Sequence, residues 1–387
     1  MKGQTMADAR PPTALHVSRR TVIAGAAGLL AGGGVLAPAS AHAAGRGRPS
    51  SLSVEQQAGQ RVIWSYAGPT PPAALYAAIR SGLVGGVIFF GENLKGLTRQ
   101  QIQQVTRSID DAQAGSGVGY PLLLMTDQEG GRVQRLPGAP GISQKQIGLS
   151  ADPVGTARSA GLGAAQNLLD AGMSCNLAPV LDVYRQDGDF EDQYSRSYSK
   201  DPVVCGQLGA ASIGAQQSLG VVTTAKHFPG LGAAAADQNT DIGPLTLPLS
   251  LGELRTVDEL PYRAAIEAGV DLVMTSWATY PALDRRLPAG LSSRTIKGEL
   301  RGRLRFRGVT ITDALEAKAL TAFGDTGQRA VLAAKAGMDL VLCSAKDLTQ
   351  SQAAVSALAT AIGTGGLGPG ESDRALERVL GLRGRLG

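Results

Sequence analysis

The sequence predicts an α/β protein, a single closed (β/α)8 TIM-type barrel with no second domain, on three observations. About eight short apolar, β-branched runs recur along the chain, each is followed by a helical stretch, and polar, glycine-rich segments gather at the carboxyl ends of the runs. A doubly wound open sheet is the competing arrangement, but no Gly-x-Gly-x-x-Gly turn follows the first run. The chain of 387 residues is long enough to bury one large core.

Its first segment stands apart from the barrel. Ser18-Arg19-Arg20-Thr21-Val22-Ile23 leads into an Ala/Gly-rich apolar run, and Ala41-His42-Ala43 offers a small-x-small cleavage site. Residues 1–43 therefore read as an export leader of twin-arginine type, removed after Ala43, with residues 44–60 as a linker or N-terminal segment and residues 61–387 as the barrel domain with a C-terminal helix. The apolar run is shorter than the ~20 residues a spanning helix needs, so no stable membrane anchor is expected after removal. The twin-arginine export machinery is the partner this leader implies, and the secreted, extracellular or cell-wall space its destination.

Charge and rare residues narrow the chemistry. Lys2, Arg10, Arg19 and Arg20 against Asp8 put most of the formal net charge of +5 in the leader. The remainder is near neutral, which argues against a nucleic-acid surface. Cys175, Cys205 and Cys343 sit among apolar or small residues and read as buried thiols rather than a disulfide framework. His16 and His42 leave with the leader, so His227 alone remains and a histidine-rich metal site is excluded.

The elements follow in order. Residues 61–66 form the first strand and 72–81 a helix. Strand 86–90 precedes helix 99–112, strand 121–125 precedes helix 152–171, and strand 174–179 precedes helix 201–218. Strand 221–225 leads to helix 256–268, strand 271–275 to helix 294–304, strand 308–312 to helix 315–336, and strand 339–343 to helix 347–362. A last amphipathic helix, roughly 372–386, is expected to pack against the barrel.

In a barrel the strand ends can be read as one set. The third ends in Asp127-Gln128-Glu129-Gly130-Gly131-Arg132-Val133-Gln134-Arg135, the fourth in Pro179-Val180-Leu181-Asp182-Val183 before a polar loop with Ser195-Arg196-Ser197-Tyr198. The fifth delivers Lys226 and His227 into Phe228-Pro229-Gly230-Leu231-Gly232, followed by Asp237-Gln238-Asn239-Thr240-Asp241, and the seventh ends in Thr312-Asp313-Ala314-Leu315-Glu316. Charge clusters are usually solvated turns, and Asp313 could simply cap a helix starting at Ala314. Directly after buried strands, though, these groups suit a polyol ligand, and Asp313 suits an ionised nucleophile or stabiliser of a positive transition state. Asp127 and Arg196 are read as exposed mouth residues that do little for the core.

Taken together, these five motifs resemble those of family 3 glycoside hydrolases, in order and over nearly the whole chain beyond the leader. The single-domain bacterial β-N-acetylglucosaminidases (β-hexosaminidases) are the nearest in pattern. The resemblance implies hydrolysis of terminal β-N-acetylglucosaminides, as in N-acetylglucosamine-containing glycans or cell-wall fragments, by a retaining mechanism with Asp313 as nucleophile. It further implies that Asp127, Arg135, Arg196, Lys226 and His227 bind the sugar, with no metal or organic cofactor. A retaining pair should stand about 5–5.5 Å apart.

One position departs from the pattern. The family branch carries its acid/base as a histidine two residues beyond an orienting Asp. That Asp is present as Asp237, but the histidine position is Asn239. An amide cannot supply a proton at neutral pH. Three readings stay open: an active β-glycosidase whose acid/base is Asp237 or Asp241; a catalytically impaired cell-wall sugar-binding relative; and a transglycosylating or phosphate-using enzyme. A preference for plain glucose, as in a β-glucosidase, is also open.

Overall fold

A computed structural model describes residues 51–386. The expected export leader lies outside the described residues. Eight parallel strands close a barrel in sequence order: β1 (Val62–Trp64), β2 (Gly86–Ile88), β3 (Leu123–Thr126), β4 (Cys175–Asn176), β5 (Val222–Phe228), β6 (Leu272–Thr275), β7 (Val309–Ala314) and β8 (Leu340–Leu342). β1 bonds to both β2 and β8, which completes the ring. These strands are continuous apolar runs because both faces are covered. Ile63, Leu123, Met125, Leu272, Ile311 and Leu340 pack inside the ring, while the alternating Val62, Trp64, Val87, Leu124 and Val341 face the helices.

The outer layer comprises α1 (Val54–Gly59), α2 (Ala73–Arg80), α3 (Arg99–Ala114), α4 (Pro153–Leu169), α5 (Pro202–Gln217), α6 (Leu260–Glu267), α7 (Thr326–Ala336), α8 (Leu348–Gly363) and α9 (Pro369–Arg383). Leu254–Asp258 and Arg294–Arg303 are wound as π-helix. α9 closes the base of the barrel: Val379 and Leu382 join the interior cluster, and the fully buried Arg383 donates to the carbonyls of Pro121 (2.6 Å) and Tyr120 (3.1 Å). No helix among the described residues is long and apolar enough to cross a membrane, and the three cysteines are buried and free.

Several expectations are corrected. Residues 54–59, read as linker, form α1, because Ser53 and Gln56 make a reciprocal capping box and Ala58 and Gly59 are buried. β4 covers only Cys175–Asn176, since Pro179 has no N–H to continue the ladder; pairing resumes as an isolated bridge between Val180 and Lys226. β5 runs on through Lys226 and His227 to Phe228, so both polar residues stand on the strand itself. The expected helix 315–336 is broken. β7 continues through Asp313 to Ala314, a 3-10 turn spans Lys318–Phe323, Gly324 turns at φ 83°, and Asp325 caps α7. Asp313 is therefore no helix cap.

Candidate active site

The carboxyl ends of the strands surround a cleft of about 390 Å³. It brings together Asp127, Arg135, Arg196, Lys226, His227, Asp241 and Asp313 from the residues singled out in the sequence. Asp237 is exposed and lies outside the cleft lining. Glu191, Asn239 and Glu316 also line it.

One wall is a network of paired charges. Asp127, one step past β3, accepts from Lys226 Nζ at 2.8 Å and lies 3.8 Å from Arg135. Lys226 also reaches Glu129 at 2.7 Å. Arg196 grips Glu129 through two hydrogen bonds of 2.8 Å each and Glu191 through an ion pair of 2.7 Å. Burial alone would raise the Glu129 carboxyl, but Arg196 and Lys226 hold it well below its ordinary range. Burial opposes the charge on Lys226, yet Asp127 and Glu129 more than restore it. Arg196, expected to be an exposed mouth residue, is instead a hub with 15% of its side chain exposed.

The local chain explains this placement. Ser195 adopts φ 61°, and its N–H and the next one bond back to Asp192 O (2.7 Å) and Glu191 O (3.0 Å), a tight turn that aims Arg196 inward. Gln128 is buried and its amide spans the loop after β3, donating to the carbonyls of Leu136 and Ala139 and accepting from the N–H groups of Arg135 and Leu136. Gly130, at φ 99°, permits that loop to close, since a Cβ there would stand 2.3 Å from Ile142 O.

His227 is fixed from behind. Its Nδ1 lies 2.7 Å from Asp182 Oδ2, and Asp182 Oδ1 accepts from Leu231 N at 2.6 Å, leaving Nε2 for the cleft. Burial would lower the imidazole, but Asp182 raises it above its ordinary value and favours the cation. Burial raises Glu191, with Arg196 and His227 opposing. Asp182, Glu191 and His227 bring possible ligand atoms within 4.8 Å of one another, the one such metal-like group among the described residues. Its carboxylates are already engaged by the imidazole, a backbone N–H and the Arg196 guanidinium, a donor set better suited to holding the histidine than an ion.

The opposite wall is acidic. Asp313 Oδ1 accepts from the N–H of Ala314 at 2.7 Å, and no cation lies within ion-pairing distance of it among the described residues. Trp277 Nε1 donates to Ala314 O at 2.8 Å and keeps the strand end in place. Glu316 accepts from Ser344 Oγ (2.5 Å) and Gln350 Nε2 (2.9 Å). The loop after β5 docks here: Lys318 N donates to Asp241 O (3.3 Å) and Ala319 N to Thr240 O (3.0 Å). Asn239 Oδ1 accepts from the N–H of Asp241 at 2.8 Å, so the amide shapes the turn that presents this carboxylate. Asp241 keeps an exposed edge. Partial desolvation first, then the charges of Asp313 and Glu316, raise its carboxyl, against His227 and Arg196.

A closed barrel with its polar cleft at the strand carboxyl ends defines the broad class of (β/α)8 enzymes. The particular family is set by comparison: residues 54–382 match the Glycosyl hydrolase family 3 N terminal domain, and the chain belongs to that family. An uncharacterized secreted glycosyl hydrolase of Arthroderma benhamiae is 46% identical over 87% of this chain and 95% of its own length. A beta-hexosaminidase of Nitrosomonas eutropha is 33% identical over 72% of this chain and 80% of that protein. Among solved structures, a family 3 beta-N-acetylglucosaminidase from a Paenibacillus species superposes with TM-score 0.81 at 33% identity; it covers 87% of this chain, which spans 63% of that longer protein. The beta-N-acetylhexosaminidase of Beutenbergia cavernae gives TM-score 0.78 at 30% identity, covering 86% of this chain and 99% of its own.

Proposed function

We propose that this glycoside hydrolase removes terminal β-linked N-acetylglucosamine from cell-wall or related glycans outside the cell. In this reading Asp313 is the nucleophile of a retaining mechanism and Asp241 the acid/base. The observation that carries the reading is that one cleft holds an uncompensated Asp313 together with a second carboxyl, Asp241, which partial burial first and then the charges of Asp313 and Glu316 raise above its ordinary value. Asp313 attacks the anomeric carbon while Asp241 protonates the departing oxygen. Asp241 then draws a proton from water as the glycosyl ester is hydrolysed. Asp127, Arg135, Arg196, Lys226 and His227 hold the sugar hydroxyls, and the charge pairings around Lys226, Arg196 and His227 keep those groups in place before substrate arrives. Agreement with the secreted fungal relative and the hexosaminidases supports both the location and the sugar.

The test is a leaving-group series. Asp241→Asn should cleave activated aryl β-N-acetylglucosaminides far better than unactivated disaccharides, and azide should restore turnover by attacking the covalent intermediate. Equal loss on every substrate, with no azide effect, would remove Asp241 from this role. Wild-type enzyme that releases no sugar would favour the impaired binding relative, and sugar phosphate formed with added phosphate the phosphate-using one.

A further inference from the structure

At the opposite end of the barrel from the cleft, a cavity of about 180 Å³ opens between the start of β1, the start of β8, the π-helix Arg294–Arg303 and α9. Its charge does not balance. Arg61, Lys297, Arg301, Arg374 and Arg378 line it, against the carboxylates of Asp339 and Glu371. Both acids are already spent. Asp339 accepts from Arg301 (2.5 Å), Arg378 (2.6 Å) and Thr310 N (2.9 Å), and Glu371 pairs with Lys297 at 2.6 Å. Arg61 is 3% exposed and turns its guanidinium on the carbonyls of Met338 (2.8 Å) and Asp339 (3.1 Å), which satisfy N–H groups without matching a full positive charge.

Arg301 Nε is buried with no hydrogen-bond partner, and Arg374, exposed at the rim, meets no carboxylate among the described residues. Burial, and the nearby Arg378 charge against the opposing Asp339, bring Arg61 down to about 10 and lower Arg301 as well. Several guanidinium groups and one ammonium converging on a small cavity with spare donors fit an acceptor-only ligand that takes forked hydrogen bonds.

We propose that this basal cavity binds a tetrahedral oxyanion, inorganic phosphate or a terminal phosphomonoester, through Arg61, Lys297, Arg301, Arg374 and Arg378. The site is separate from the sugar cleft and does not depend on the reading of that cleft. Such an anion supplies the missing negative charge and ties α9 to the π-helix and β8.

Thermal unfolding tests it, with inorganic phosphate, glycerol phosphate and sodium chloride of matched ionic strength as separate titrations. The expected result is a saturable rise in Tm of about 2–4 °C with phosphate and none with chloride. Tighter saturation by glycerol phosphate supports the site and identifies a phosphomonoester as its ligand; equal or weaker saturation supports it with free phosphate as the ligand. Lys297→Ala with Arg374→Ala should lose the rise while keeping turnover of aryl glycosides. Arg374→Gln alone, at an exposed position, should weaken it if the double variant fails to fold. A rise no larger than chloride gives would overturn the proposal. So would a rise kept by these variants but lost in Arg135→Ala, which places the anion in the sugar cleft.

Discussion

The two walls of the cleft are built from the same residue types and to opposite rules. On the Glu129 side Glu129, Lys226, Arg196 and Glu191 each have an opposite charge within 2.8 Å. On the Asp313 side three carboxylates face the same space and no cation answers them within ion-pairing distance among the described residues. Paired charges fix geometry and titrate outside the working range. Unpaired carboxyls that repel one another keep one proton available, which is what acid catalysis needs. Rigidity and reactivity are thus separated across a single pocket.

The sharpest way to break this contrast is at Asp313. Asp313→Asn should abolish turnover, on the order of 5 kcal/mol or more in barrier, with Tm nearly unchanged because nothing depends on its charge for packing. Wild-type activity in that variant would dissolve the distinction. Asp241→Asn should cost about 10²–10⁴ in kcat on unactivated disaccharides, roughly 3–5 kcal/mol, and less on aryl glycosides.

The paired wall should fail in stability instead. Glu129→Gln leaves Lys226 and Arg196 buried with less compensation and should destabilise by about 3 kcal/mol, read by denaturant unfolding. The sign with pH follows from the depressed Glu129 carboxyl: its contribution is present above the unfolded value near 4.5 and is lost as pH falls below it. The variant should therefore lose less stability than wild type between about pH 5 and pH 2. Parallel acid curves would show that Glu129 does not carry this linkage.

The smallest effect is a shift rather than a loss. Glu316→Gln removes one of the charges that hold the proton on Asp241, so the alkaline limb of the pH–rate profile should move to lower pH, by a few tenths of a unit for a solvent-screened pair. An unmoved limb would mean that Asp241 is not the group reported there.

Much of this was legible because barrel strands announce themselves. Buried on both faces, they read as apolar runs, and Lys226, His227, Asp127 and Asp313 stood out as polar residues where such runs stop. What stayed hidden depends on contacts between distant segments. Glu191 lies in a single helical turn, Phe190–Gln193, too short to show a period, and gains its place from the turn at Ser195 and from Arg196. Asp237 and Asp241 look alike on one loop; only the hydrogen bonds from Lys318 and Ala319 decide which faces Asp313. The break after Ala314 was missed because the residues beyond it have ordinary helix propensity, and Gly324 and Asp325 restart the helix. Arg196 was misjudged for the same reason: an arginine in a polar loop gives no sign that two glutamates wait for it.

The seal at the base, where α9 inserts Val379 and Leu382 beneath the ring, bears on how the chain is made. A ribosome delivers β1 first, yet the strand that flanks it on one side spans residues 340–342 and the plug comes later still. Until the last strand and the plug are added, β1 presents an open edge, so closure of the ring depends on both. Truncations that remove α9 would act on assembly itself, far from any sugar.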